Sequence, residues 1–369
     1  MAKATPSAEG KAAAEQLEAY RTELAALHPA DDFRVIGAKA YGWRYQHALL
    51  LPWTPAQLLA LAHEELAKVD AELAELKPKL AKPAAPTERQ IALAKALTRE
   101  SLLGLYDTIE RANREATVAA GFVTIPPAVG PMVSRETPDA LVPLTGDGGS
   151  MNPPPTYVAS NVGYWNVEHF HAEWPLEARL EKITQAEGFL GNGLGPYSAH
   201  EGYPGHHLQL AIARLHPDPI RSILPDSVQN EGWGLYAEEA LWQHGGFGPS
   251  PEARSAMLRS YRYRIARVVY DVNIETGAWD LQKGADFKDR AEPGKGEVDE
   301  DVLRAIQWPA QLIGYFAGKM QLRALREASQ KKLGARYDER AFHDAFLAEG
   351  SIPIALIRAK MLGEPIPAR

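Results

Sequence analysis

The sequence predicts a mainly α-helical fold carrying one small antiparallel β-sheet, on three observations. Stretches of strong helix formers, several opened by a capping Ser, Thr or Asp, cover most of the chain. One interval, residues 121–171, interrupts them with Pro, Gly and short alternating runs. No fixed-period repeat or heptad run occurs, which sets aside solenoids and coiled coils.

In chain order, residues 8–27 read as an amphipathic helix. Residues 33–53 hold Phe33, Tyr41, Trp43, Tyr45 and Trp53 with little periodicity, a composition that points to packing. Thr54-Pro55 supplies a cap and a first-turn proline for a helix reaching about Leu76. Prolines extend 77–86 as a linker, so the expected division is an N-terminal helical segment, 1–82, and a larger helical domain, 83–369, that holds the small sheet at about 121–171. Thr87 with Gln90 three residues on makes a capping box for a helix to about Ala120.

Residues 123–125 and 132–134 then read as short strands separated by Pro126 and Pro127. A Gly/Pro-rich loop covers 145–157, and 164–171 alternates like a strand. The edge of such a sheet can receive an extended peptide, with Tyr164 and Asn166 as candidate substrate contacts. A purely structural hairpin is the competing reading. Beyond Trp174-Pro175, helices are expected over about 175–187, 197–216, 226–244, 251–276, 300–331, 338–348 and 352–362. Asp226, Ser250-Pro251 and Ser351 mark three of the starts.

Composition narrows the function. A hydrophobic content of 45% with 24% charged residues is that of an ordinary globular chain. A net charge of -7, with no basic stripe, argues against nucleic-acid binding. The chain has no cysteine, so any metal site must use His and carboxylates. No run of about 18 apolar residues occurs, so no membrane span is expected. The Ala-, Lys- and Glu-rich start lacks the apolar core of a signal peptide, and a cytoplasmic location is the expectation.

Against that background one stretch stands out: His200-Glu201-Gly202-Tyr203-Pro204-Gly205-His206-His207. A zinc hydrolase needs neutral imidazoles to hold the metal and an adjacent carboxylate to deprotonate its water. The usual spacing, H-E-x-x-H, sets two His one helical turn apart. Here the second comes two residues late. On an unbroken helix His200 and His206 would be about 9 Å apart along the axis, too far to share one ion. Pro204, however, clashes with the carbonyl of His200, and Gly205 tolerates unusual backbone angles. The helix is therefore expected to break between the two histidines so that both reach the metal. His207, on the same face, competes with His206 as second ligand; otherwise it serves as a supporting donor or substrate contact.

A catalytic zinc takes three protein ligands and leaves one position open. Glu231, in Glu231-Gly232-Trp233-Gly234-Leu235-Tyr236-Ala237-Glu238, is the candidate third ligand, on a helix returning antiparallel after a loop. Glu238, seven residues on, shares its face and is a candidate supporting or substrate-facing group. Placement in the first helical turn, complementing the helix dipole, is the alternative reading for Glu231.

His200 to Gln209 (H-E-G-Y-P-G-H-H-L-Q) and Glu231 to Glu238 (E-G-W-G-L-Y-A-E) resemble the two hallmark segments of the bacterial domain of unknown function 885 family. Arg267 to Val272, Gln307 to Lys319 and Phe342 to Pro353 resemble it as well, over roughly residues 120–362 and more loosely 8–115. That family is similar to gluzincin metallopeptidases and, in its helical build, to the thermostable carboxypeptidase Taq family. The resemblance implies a zincin-like helical metallohydrolase with one Zn2+, His200 and His206 as ligands, Glu201 as general base and Glu231 as third ligand. Family members are longer, so a missing N-terminal half or a homo-oligomer covering the exposed surface is also an expectation.

Metal-assisted hydrolysis further needs a donor for the developing oxyanion. Tyr315 is the first candidate; Arg267, Lys319 and His343 are others, each also able to hold a substrate carboxylate. The expected activity is that of a metallopeptidase, carboxypeptidase- or oligopeptidase-like, acting on a peptide or small amide. A non-peptide amide or ester would be attacked by the same chemistry. A catalytically silent binding protein retaining the fold is the reading from another class, and the presence of Glu201 counts against it.

Overall fold

Capping chemistry sets most helix starts in the computed structural model, which describes residues 8–26, 35–82, 84–156, 158–291 and 296–366. Two units are distinguished, residues 1–35 and residues 36–369. In the first, α1 (Ala8–Ala26) is described; Phe33 lies outside the described residues.

The second unit begins with α2 (Gly37–Trp43), which runs into a wider turn at Arg44–Ala48 and buries Tyr41 and Tyr45. Trp43, by contrast, is largely exposed. Reciprocal side-chain caps open α3 (Pro55–Leu76) at Thr54 and Gln57, and α4 (Glu88–Lys95) at Thr87 and Gln90. A third such box, Thr98 with Ser101, starts α5 (Arg99–Ala120), so the single helix expected over 87–120 is two. The boundary expected near residue 82 falls inside this unit. Leu58, Ala62 and Val69 of α3 share a core with Ile265, Val268 and Val269 of α12 (Pro251–Glu275).

The sheet has β1 (Met132–Glu136), β2 (Ser150–Asn152) and β3 (Gly163–Val167), in the order β1-β3-β2. It is mixed: β1 runs parallel to β3 and β2 antiparallel to it. The expectation of an antiparallel sheet is corrected here, because α6 (Val142–Thr145) and β2 intervene and β3 inserts between the other two strands. Residues 123–125 form no strand; Phe122 and Val123 instead enter the core ahead of two prolines that remove ladder donors.

The remaining helices are α7 (Leu176–Glu187), α8 (Leu194–Glu201), α9 (His206–Arg214), α10 (Pro219–Ile223), α11 (Ser227–Gln243), α12, α13 (Leu281–Ala291), α14 (Glu300–Gln307), α15 (Gly314–Leu333), α16 (Glu339–Leu347) and α17 (Ile354–Leu362). The helix expected over 300–331 is interrupted between α14 and α15. Pro309 forbids helical backbone at Trp308, whose φ and ψ are -141° and 70°. Among the described residues, no helix is long and apolar enough to cross a membrane.

α11 lies at the centre. Trp233, Tyr236 and Leu241 face one core with Phe342 and Phe346 of α16. Val228 and Leu235 face the other core, with Phe316 of α15 and Val268 of α12. A helix buried on both sides has no polar face, which is why α11 shows so little amphipathic pattern in sequence. It crosses α15 at Gly232 and Gly318: a Cβ on Gly232 would sit 2.4 Å from the Gly318 Cα. This close crossing brings Tyr315 and Glu231 to the same side of the molecule, beside α8 and α9.

Candidate metal centre

α8 ends at Glu201 and α9 begins at His206, so Gly202–Gly205 form a break in what would otherwise be one helix. The Gly205 N–H reaches back to the Ala199 carbonyl at 3.0 Å. A Cβ on Gly205 would lie 2.0 Å from the His200 carbonyl oxygen, so only glycine allows this turn. As a result the His200 and His206 rings stand 4.5 Å apart, centroid to centroid, and nearly perpendicular at 79°. The expected break exists, and it closes the gap that a continuous helix would leave.

Glu231, one turn into α11, completes the group. Its Oε2 is 3.4 Å from His200 Nε2 and 3.2 Å from His206 Nε2. The donor atoms of the three residues all lie within 4.8 Å of one another, a set that could hold a metal ion. Their supporting bonds fit that role. Glu238 Oε1 holds His200 Nδ1 at 2.8 Å, and the other carboxylate oxygen, Oε2, accepts the Ser260 hydroxyl at 3.2 Å. Gln209 Oε1 meets His206 Nδ1 at 3.3 Å, and its amide is anchored on Gln229 Oε1 at 3.0 Å. Each imidazole thus has Nδ1 engaged from behind and Nε2 directed at Glu231, the arrangement that orients metal-binding histidines.

α11 admits His200 only because residue 234 is glycine: a Cβ there would meet the His200 ring at 2.6 Å. The two glycines of E-G-W-G therefore have separate physical causes, Gly232 for the crossing with α15 and Gly234 for the imidazole.

The titration of these groups follows the same contacts. Burial alone would raise the Glu231 carboxyl, but hydrogen bonds to His200 and His206 outweigh it and hold the group well below the usual carboxylate range. For His200 burial acts downward, and the bonds to Glu231 and Glu238 overcome it to raise the imidazole to about 9. Glu201 is pushed up, chiefly by burial and in part offset by the two histidines.

The triad and Glu201 open onto a cleft of about 1020 Å3. Arg264 and Arg267 of α12, Asp301 and Arg304 of α14, Tyr315 of α15, and Ser150 and Met151 of edge strand β2 line it. The Tyr315 ring stacks on His200 at 6.0 Å and 18°. Burial pushes its hydroxyl up to about 12, so it stays protonated and able to donate.

Of the sequence-predicted residues, His200, Glu201, His206, Glu231, Tyr315 and Arg267 come together here, with Glu238 behind His200. Five others do not line the cleft. His207 is fully buried and donates from Nε2 to the Gly130 carbonyl at 2.8 Å; its ring packs against Gly163 and stays neutral. Lys319 turns away with its face of α15 to pair with Glu239 at 2.9 Å and lie over the Tyr261 ring. His343 is enclosed between Tyr236 Oη and the Phe122 carbonyl, both 2.8 Å away. Asn166 is spent inside the sheet on Arg135, Ser150 and Asn152. Tyr164 lies under the Arg135 guanidinium, 4.1 Å from its ring centroid.

Gln209, Arg264, Asp301 and Arg304 were not singled out from the sequence. Helical spacing offered a signal for two of them: Gln209 follows His206 by three residues, and Arg264 precedes Arg267 by three.

The model of a family described as a bacterial protein of unknown function (DUF885) matches residues 2–361. No curated protein matches the chain. Among solved structures, a candidate lipoprotein of unknown function from Shewanella oneidensis is similar at 22% identity and a TM-score of 0.73, over 94% of this chain and 63% of that one. A candidate lipoprotein from Colwellia psychrerythraea is similar at 21% identity and a TM-score of 0.70, over 88% of this chain and 55% of that one. The chain thus spans under two thirds of the length of either structure, and the likeness extends to the fold.

Proposed function

The chain belongs to the DUF885 family of bacterial proteins of unknown function, and within it we propose that this member is a metal-dependent hydrolase, acting on a peptide or other amide. The observation that carries this reading is the convergence of His200, His206 and Glu231 beside a buried Glu201, with Glu238 and Gln209 fixing the two imidazoles. A binding protein has no need for a carboxylate set next to such a triad.

His200, His206 and Glu231 would hold the ion, and two nitrogens with one carboxylate suit zinc. The ion would supply Lewis acidity and a more acidic water at the position the protein leaves open. The chain's own residues do the rest. Glu201, held up by burial, is suited to accept a proton from the attacking water and return it to the leaving amine. Tyr315, protonated and stacked on His200, would donate to negative charge that develops on the substrate carbonyl. The cleft walls screen these groups from bulk water and leave room for a short peptide segment.

Digestion of a mixed peptide library by the zinc-loaded chain and by Glu201→Gln tests the reading. Cleavage is expected from the first and a loss of at least about a hundredfold from the second. Cleavage that survives in Glu201→Gln, or none in either, rejects it. An ester panel run beside the peptides separates amide from ester hydrolysis.

A further inference from the structure

The cleft wall carries two guanidinium groups that form no ion pair with its carboxylates, although Arg264 stands close enough to act on Glu201 electrostatically. Arg264 and Arg267 lie three residues apart on α12 and share one face; Asp301 and Arg304 do the same on α14. Arg267 is paired with Asp301, Nη2 to Oδ1 at 2.7 Å. The other Asp301 oxygen accepts the Tyr263 hydroxyl at 2.7 Å and the Tyr270 hydroxyl at 2.6 Å. That carboxylate is therefore fully engaged. Among the described residues, neither Arg264 nor Arg304 forms an ion pair. Arg264 donates from Nη1 to Ser260 Oγ at 3.1 Å, while its Nε is buried with no partner. Arg304 rests 6.0 Å over the Trp308 ring. Of the acids lining the cleft, Glu231 is bound to the histidines, Glu201 serves the reaction, and Glu300 is exposed at the start of α14.

A buried guanidinium N–H without an acceptor is costly, and its fork matches a carboxylate in geometry and charge. The Arg264 guanidinium is 5.9 Å from the centroid of the Tyr315 ring, which in turn stacks on His200. The free charge therefore stands one aromatic ring away from the triad. We propose that Arg264 and Arg304 receive a carboxylate of the substrate beside the bond to be cleaved, so that the preferred substrate is a peptide presenting its free C-terminus. This rests on the hydrolase reading for the bond cleaved, but the carboxylate site itself needs no turnover to be seen.

Binding separates the two. Pools of N-acetylated tripeptides are prepared with a free C-terminus, with a C-terminal amide, and as amides ending in glutamate, and are titrated against the full chain in the Glu201→Gln background. Free-acid peptides should bind roughly ten- to hundredfold more tightly than the amides. Arg264→Gln and Arg304→Gln should each erode that preference, with thermal melting confirming that both variants fold. Arg304→Lys, which keeps the charge, should restore part of it. Equal binding of acids and amides, no binding by any pool, or a preference that survives in the double Gln variant overturns the proposal. Tight binding by glutamate-ending amides alone would also overturn it, by moving the carboxylate to a side chain. If wild type cleaves acids and amides alike, the carboxylate site falls and the hydrolase stands; if acids bind selectively but nothing is cleaved, the reverse holds.

Discussion

Replacing Gly234 by alanine tests the packing on which the metal centre depends. In an exposed helix interior this change stabilises by about 1 kcal/mol, because alanine is the better helix former. At position 234 the new Cβ would lie 2.6 Å from His200 Cε1 and 2.9 Å from both ring nitrogens. His200 is almost wholly buried, so its ring cannot move aside without disturbing the bond to Glu238. Overpacking costs about 1–3 kcal/mol, and a strained hydrogen bond to a charged group roughly 1.5–3 kcal/mol. Less the propensity gain, the variant should be destabilised by about 1.5–5 kcal/mol. Urea unfolding of the metal-free chain measures this, and zinc titration should show affinity reduced about 10- to 100-fold. Gly104→Ala is the control: that glycine lies in α5 with nothing within 4 Å of the added Cβ, and the variant should be at least as stable as wild type. If Gly234→Ala is also stabilised and keeps its zinc affinity, the contact between α11 and His200 does not fix the ligand.

Two further outcomes follow from the same geometry. Glu238→Gln keeps the size of the group behind His200 Nδ1 but removes its charge, and should weaken zinc binding about 10- to 100-fold while a mutation of exposed Glu300 leaves it unchanged. His343, pushed down to about 4 by burial, is lower in the folded chain than its ordinary value of 6.5. The unfolded state therefore binds the extra proton first. Its contribution to stability is complete above pH 6.5 and is lost as pH falls toward 4, amounting to about 3 kcal/mol. Urea midpoints of wild type and His343→Gln between pH 4.5 and 7.5 should converge as the pH drops; parallel curves would count against this.

The features readable in sequence were those set by near neighbours along the chain. Thr54 and Thr87 announce their helices because each cap and its partner lie three residues apart. The break between His200 and His206 was legible for the same reason, since Pro204, Gly205 and the carbonyl of His200 fall within one turn. Pro309 carried an equally local signal for the interruption between α14 and α15, and the apolar run around it masked the signal. Strand order was not legible: whether β3 pairs with β1 in parallel or antiparallel fashion depends on how the chain from Thr137 to Val162 is routed. Nor could spacing show which way a helix faces once it is buried all round. Lys319 and His343 lie in segments that resemble the family and are of residue types able to serve the site, yet packing turns one toward Glu239 and closes the other among aromatic rings. His206 and His207 were separated only by tertiary structure, with Gly130 and Gly163 claiming the second imidazole.

Metal content per chain is the most direct test of the proposed centre. Wild type, His206→Ala, His207→Ala and Glu231→Ala are equilibrated with excess zinc, desalted and assayed by elemental mass spectrometry, with circular dichroism confirming folding. Wild type and His207→Ala should retain one zinc per chain, and His206→Ala and Glu231→Ala should lose it. Wild type that retains none, or His206→Ala that retains as much as wild type, would contradict a centre built from His200, His206 and Glu231.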